Sequence, residues 1–545
     1  MTDLTPEDWL ASKSLVDAIV IAPPGCGKTE LLARRAAACV TQRLVRPGRK
    51  VLALTFTNKA RDNLAERLSS HSGRGFRRHV DVMNFHGLGL HLYLKHRYVL
   101  DDQPRALTPD ERALARLRRH AFNEHNVPRA AQQEVVATIR QAKAGAFSDD
   151  EVLNRLAASG SHAALTYEVA LREADLLDHD DVLRYGLQII RHPGVAAARY
   201  DYVLVDEAQD LTRVQFDLVE PIGQGCTVFA GDRAQGIYTF AGADPAWVFD
   251  RIGERNPVRV TLDKSYRSSP EVLEVVSAVA RELGGEALTS ADPDRWANRG
   301  RAGLAEFEDL ATEARWLIAL INGWIDEYAE RGEEVTIGVL SRMKPGGRRD
   351  VVLAEAARVG LAVETWDHPL HRPEVVQLLR AHLDGVLATV ADPVDQVEEL
   401  YLRCYSDVPP ENASTLTDLR DAADELADLI REAELRELIE RIRVGSDIDV
   451  PVGPGVHLLT GHAGKGQGFD KVIILGFEDD QIPSFFVAGL PDDDPRVREE
   501  LALLHVMASR AKEELVFTVC RRRSGWNKQP SRWLNLFEQH LVRLT

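Results

Sequence analysis

One stretch constrains this chain more than any other: residues 19–30, IVIAPPGCGKTE. Ile19, Val20 and Ile21 form a short apolar run of the kind that makes a strand buried on both faces. Ala22, Pro23, Pro24, Gly25, Cys26 and Gly27 follow, a loop that can neither continue a strand nor start a helix early. Lys28 and Thr29 then open a helical pattern over 31–40. Strand, glycine-bearing loop, Lys-Thr and helix make a phosphate cradle. Loop N–H groups point inward, the Lys28 ammonium reaches the β- and γ-phosphates, and the Thr29 hydroxyl ligates Mg²⁺. The first position of the general pattern is Ala22 rather than Gly.

A second string answers the first. Residues 202–205, YVLV, read as a strand ending in Asp206-Glu207. Downstream of a phosphate loop, Asp206 binds the Mg²⁺ and Glu207 accepts a proton from the attacking water. Strands are also expected at 50–55, 80–83 and 227–230, with helical patterns at 59–68 and, almost without interruption, from 88 to 191. That long stretch reads as a helical insertion between strands of one sheet. Strands alternate with helices again at 304–307, 335–340, 362–365, 456–460 and 471–475, which predicts a second parallel sheet. Residues 374–445 are helical and charged, a second insertion. A helix over 497–512 is expected to carry Arg510, with a last strand at 515–519.

Composition bounds the rest. The chain has 545 residues, enough for several domains. Its formal net charge is −17, which argues against a whole-surface polyanion binder but leaves room for a local basic groove. The five cysteines are far apart with no CxxC pair, so a reducing cytoplasm is expected and a disulfide framework or zinc site is not. The acidic start, MTDLTPEDWL, lacks the marks of a leader, and no apolar run approaches a membrane span.

The strings resemble, in order, those of the UvrD/Rep/PcrA group of superfamily 1 DNA helicases. Residues 22–29 fit that family's AxxGxGKT form, in which Ala22 is expected. LTFTNKA (54–60), FHG (85–87), LDHDDVL (177–183), VLVDEAQD (203–210) and AGDRAQGIYTFAGA (230–243) follow. SYRSSPEVL (265–273), TGHAGKGQGFDKVIILG (460–476), SRAKEEL (509–515) and PSRW (530–533) complete the series. The resemblance implies two RecA-like parallel-sheet P-loop NTPase cores, each with a helical insertion. The first core would take 1–90 and 192–264, with its insertion at 91–191. The second would take 265–373 and 450–545, with a reduced insertion at 374–449. It further implies ATP and Mg²⁺ as cofactors. Gln235 would sense the γ-phosphate, Arg267 and Arg510 would act as arginine fingers from the second core, and Tyr266 would stack on adenine. For DNA, Phe56, Tyr238 and Phe240 would stack on bases, while Thr57, Asn58, His86, Thr460 and His462 would contact the backbone.

Departures from the family pattern bear on specificity. Asp8 stands where the family has an adenine-reading Gln, Glu30 where it often has Arg, and Gly468 where it has a Glu near the sugar. Phe240 and Ala241 replace a Trp and an Arg. The expectation is an ATP-driven 3′-to-5′ translocase or helicase on single-stranded or 3′-tailed DNA, in repair or antiviral defence. The alternative is a nucleotide sensor subunit acting with a partner such as a nuclease. Only 25 residues follow Cys520, so no nuclease domain is expected in this chain itself.

Overall fold

The computed structural model describes residues 2–544 apart from 57, 101–105, 108–110, 129–130, 196–199, 224–225, 240–241, 343–346, 367–372, 408–418, 420–421, 424–425, 427–429, 431–433, 442–451, 486, 488 and 524. The chain divides into two compact units, Met1–Asp263 and Lys264–Thr545.

In the first unit, seven strands form one sheet: β1 (Asp3–Leu4), β2 (Ala18–Ile21), β3 (Lys50–Thr55), β4 (Val80–Asn84), β5 (Tyr200–Val205), β6 (Thr227–Gly231) and β7 (Val258–Thr261). Their order is β1-β7-β2-β6-β5-β3-β4, and every neighbouring pair is parallel. Successive strand residues serve opposite faces, so a sheet covered on both sides reads as a continuous apolar run. Val20, Val51, Ala53, Leu204 and Ala230 face a core shared with Trp9, Leu32, Leu64 and Leu68. Those residues come from α1 (Pro6–Ala11), α2 (Lys28–Thr41) and α3 (Asn58–Ser72). Leu52, Leu54, Val203, Val205 and Phe229 face the other core, closed by α4 (Phe85–His96) and the helices His179–Arg191 and Arg213–Gly223.

The helix His179–Arg191, assigned to the insertion on sequence, thus packs into the core under the sheet. It lies against α4 at glycine contacts: a Cβ at Gly89 would stand 2.7 Å from the Val182 carbonyl oxygen, and one at Gly186 3.0 Å from the Gly89 Cα. Leu114, Ile139, Val152, Leu156, Tyr167 and Leu171 form a separate helical core. Where the two cores meet, the fully buried Lys143 ammonium lies 2.8 Å from Glu168, 2.8 Å from Asp178 and 3.0 Å from Asp181.

The second unit repeats the scheme with β8 (Arg301–Phe307), β9 (Thr336–Ser341), β10 (Val363–Thr365), β11 (Gly455–Thr460), β12 (Phe469–Leu475), β13 (Ala511–Cys520) and β14 (Val542–Arg543). The order is β10-β11-β9-β12-β13-β8-β14, again parallel throughout. Helices Leu310–Glu330 and Arg348–Val359 close one face over Ile337, Val339, Leu458 and Ile473. A helical cluster built on Pro373–Leu387, Pro393–Ser406 and Leu435–Arg441 has its own core around Leu379, Leu400 and Ile439.

One expectation fails here. The helix before β13 spans Pro495–Ala508 and does not reach 512. Ala511 pairs with Phe469, and the Phe469 N–H donates to the Arg510 carbonyl at 2.9 Å. Sheet pairing therefore takes residues 511–512 from the helix, and Arg510 stands on the turn between them. Strand β13 is not the last either: a hairpin pairing Arg522–Arg523 with Trp526–Asn527, and then β14, follow it.

Candidate nucleotide site and nucleic-acid platform

Strand β2 lies between β7 and β6, and the phosphate loop leaves its C-terminal end, the place where parallel sheets present ligand sites. Gly25 and Gly27 take φ of 78° and 79°, in the left-handed region that favours glycine. Gly27 is the residue before α2, and no side chain caps that helix, so its first N–H groups face the loop uncapped.

Two strands away, β5 ends in Asp206 and Glu207. The Thr29 hydroxyl donates to Asp206 Oδ2 at 3.2 Å. Lys28 Nζ lies 3.2 Å from Asp206 Oδ1 and also pairs with Glu207 Oε2. Burial opposes charge on Lys28, but the two carboxylates outweigh it and hold the ammonium well above its ordinary range. Burial raises the Asp206 carboxyl, Lys28 pulls it back, and the Glu207 carboxylate helps leave it above its usual value. One ammonium thus faces two carboxylates in a buried place. A hydroxyl and a carboxylate oxygen side by side, with negative charge in surplus, suit a hard divalent cation such as Mg²⁺.

Glu207 itself has φ 54° and ψ 48°. A non-glycine residue in that region stores on the order of 1 kcal/mol or more and persists only where its surroundings over-determine it. Asp206 Oδ1 accepts the Glu207 N–H at 2.9 Å, and the Gln209 amide donates to Glu207 Oε2. Gln209 Oε1 in turn accepts the Asp232 N–H at 3.1 Å, and Gln235 Nε2 donates to Asp232 Oδ2 at 2.9 Å. The ends of β5 and β6 are therefore tied through Gln209 and Asp232, neither of which was singled out on sequence. Their signal was present, since both lie inside strings already noted.

Phe56, just past β3, and Tyr238, past β6, stack with centroids 6.2 Å apart and planes 6° off parallel. Both are half-buried. Thr57 and Phe240 lie outside the described residues, and Asn58 begins α3. His86 meets His179 edge-on at 5.1 Å, and burial with that neighbour pushes its ring down to about 4. In the second unit, burial and the nearby Arg342 push His462 down to about 4 as well. Both rings are neutral at pH 7 and offer hydrogen bonds rather than charge. The Thr460 hydroxyl accepts the Ala463 N–H at 3.4 Å.

Arg267 and Arg510 converge within the second unit around Ser509. Arg267 Nη1 donates to the Ser509 carbonyl at 3.5 Å, and Arg510 Nη2 donates to the Ser509 hydroxyl at 2.7 Å. Arg510 also donates to the carbonyls of Val506 (2.8 Å) and Gln467 (3.1 Å), and it is buried. A Cβ at Gly468 would lie 3.9 Å from both Arg267 Nε and the Arg510 carbonyl. Tyr266 is 66% exposed. Trp526 is 73% exposed on a hairpin, where it stands opposite Arg523. Arg523 and Lys528 each lie 2.6 Å from Asp480 and anchor that hairpin.

Two all-parallel sheets, one of them with a phosphate loop and an Asp-Glu pair at neighbouring strand ends, place the chain among the P-loop NTPases with a double RecA-like core. The family described as "UvrD/REP helicase N-terminal domain" matches residues 4–251, and "UvrD-like helicase C-terminal domain" matches 388–522. The chain belongs to the UvrD-like helicases. It is 28% identical over 574 residues to the ATP-dependent DNA helicase UvrD2 of Mycobacterium tuberculosis, covering 95% of this chain and 79% of the relative. To UvrD1 of the same organism it is 25% identical over 660 residues, 96% of this chain and 83% of the relative. Among the described residues no helix is long and apolar enough to cross a membrane, and no cluster of His, Cys, Asp and Glu could hold a metal ion on its own.

Proposed function

We propose that this chain hydrolyses ATP to move 3′ to 5′ along single-stranded DNA and to unwind 3′-tailed duplexes. One observation carries the proposal. The Lys28–Asp206–Glu207 cluster and the Phe56–Tyr238 pair sit at strand ends of the same sheet edge, so chemistry and base stacking share one scaffold.

In this reading the loop N–H groups and Lys28 hold the triphosphate. Thr29 and Asp206 hold Mg²⁺, which when bound neutralises charge on the phosphate oxygens. Glu207 takes the proton from the attacking water at its carboxylate, and the Gln209 amide and the local backbone keep that carboxylate aimed. Gln235, tied to Asp232, reports the state of the terminal phosphate. Arg267 and Arg510 are the guanidinium donors that compensate the transferred phosphoryl group. Phe56 and Tyr238 stack on bases. His86, Asn58, Thr460 and His462 accept or donate hydrogen bonds along the backbone.

A second reading, a nucleotide sensor that controls a separate nuclease, draws its support from Asp8, which stands where the family has an adenine-reading Gln, and from the reduced second insertion. Unwinding assays on 3′-tailed and 5′-tailed duplexes separate the two readings. Unwinding of the 3′-tailed substrate alone supports the motor. ATP binding without movement on either substrate supports the sensor.

A further inference from the structure

Arg35, a fully buried guanidinium, has no part in the chemistry above. It lies on α2, about two turns beyond Lys28. Its Nη1 donates to the carbonyls of Trp9 (2.9 Å) and Ser12 (2.7 Å), and its Nη2 to that of Ser14 (2.7 Å). The guanidinium carbon is 5.2 Å from the Trp9 ring centroid and 5.5 Å from that of Tyr202. Among the described residues it has no carboxylate partner. A buried charge held only by carbonyls and rings is tolerated while all of them stay in place, so Arg35 fixes residues 9–14 against α2.

The place of that segment in the sheet gives the contact a role. Leu4 of β1 stands opposite Val260 of β7, which stands opposite Val20 of β2. Residues 4–14 therefore start at the same sheet edge as the phosphate loop, on its β7 side. Asp206 and Glu207 lie on the other side, beyond β6. With the terminal phosphates against those carboxylates, as in the proposed function, the ribose and base of a bound nucleotide would extend the opposite way, toward β7 and this segment.

We infer that Arg35 is a positioning residue for nucleotide binding, one that fixes residues 4–14 as the base-side wall of the site. The planar fork spans three carbonyls while stacking on Trp9; a lysine ammonium, a point donor, cannot do both. The inference rests on ATP being the ligand of the loop, and its test separates the two claims.

The experiment measures Mg²⁺-dependent binding of ATP and of inorganic tripolyphosphate to the full chain by calorimetry, alongside thermal melts. Tripolyphosphate uses the loop and Lys28 but has no base. Arg35→Lys weakens ATP about tenfold, the equivalent of one charge-assisted hydrogen bond, and leaves tripolyphosphate bound as in the wild type. Trp9→Phe shifts ATP the same way by less, and it carries the test should Arg35→Lys not fold. Unchanged ATP affinity in the folded variants overturns the inference. So does equal weakening of both ligands, which would place the effect on the loop itself. A wild type that binds neither ligand overturns the nucleotide reading and this inference with it.

Discussion

Two lysines in the first unit, one buried and one partly exposed, face clustered carboxylates, and the contrast between them shows what marks a site. Lys143 is sealed among Glu168, Asp178 and Asp181, and nearly everything around it is satisfied. Asp178 and Asp181 cap the helix His179–Arg191 reciprocally, and the Tyr167 hydroxyl donates to Asp178 at 3.1 Å. Nothing there is strained or open. Lys28 has the same chemistry in a different setting: a loop with two left-handed glycines, a left-handed Glu207, and a Glu207 side chain 34% exposed. Pairing of opposite charges is common to both clusters. Strain, an opening and a place at a sheet's C-terminal edge belong to Lys28 alone of the two, and they identify it as the one that handles a ligand.

The contrast breaks most sharply by mutation. Lys28→Ala and Glu207→Gln each reduce ATP turnover about a thousandfold or more, and Glu207→Gln, at a part-exposed side chain, leaves the thermal melt near wild type. Lys143→Met does the reverse. It strands three buried carboxylates, lowers unfolding free energy by about 3–5 kcal/mol in denaturant titrations, and leaves turnover per folded molecule intact. If Lys143→Met abolished turnover without loss of stability, the distinction would collapse.

Smaller changes sharpen the picture at the platform. Phe56→Ala or Tyr238→Ala weakens single-stranded DNA binding by about 1–3 kcal/mol per ring, measured by fluorescence anisotropy, and leaves DNA-free hydrolysis unchanged. An equal loss of DNA-free hydrolysis would assign the pair to the core instead. The smallest effect is in pH. His86 and His462 titrate near 4 in the fold against an ordinary 6.5, so the folded chain binds fewer protons than the unfolded one. Their contribution to stability is present above about pH 6.5 and lost as pH falls toward 4. Melts taken from pH 7.5 to 5 should drop less in a His86→Gln/His462→Gln variant, by on the order of 1 kcal/mol per residue at pH 5.

What could be read in the sequence was local. The phosphate loop and the Asp-Glu end of β5 are contiguous strings whose chemistry needs no partner to be recognised. The long strands β3, β5, β12 and β13 announce themselves by apolar runs. Strands β1 and β7 did not, because β1 has two residues and β7, VRVT, is only half apolar; pairing makes them strands, not composition. Arg510 was placed on a helix because its surroundings are helix-compatible, and the competing pairing with β12 is a long-range contact. Gln209, Asp232 and Arg35 act across the fold on backbone atoms. No spacing rule encodes such contacts, which is why they emerged only with the structure.

The central claim, a DNA-driven ATPase, is tested most directly by steady-state ATP hydrolysis with and without single-stranded DNA, using Lys28→Ala and Glu207→Gln as controls. Strong stimulation by DNA, lost in both variants, is the predicted result. Hydrolysis indifferent to DNA, or nucleotide binding with no hydrolysis in either condition, would contradict it.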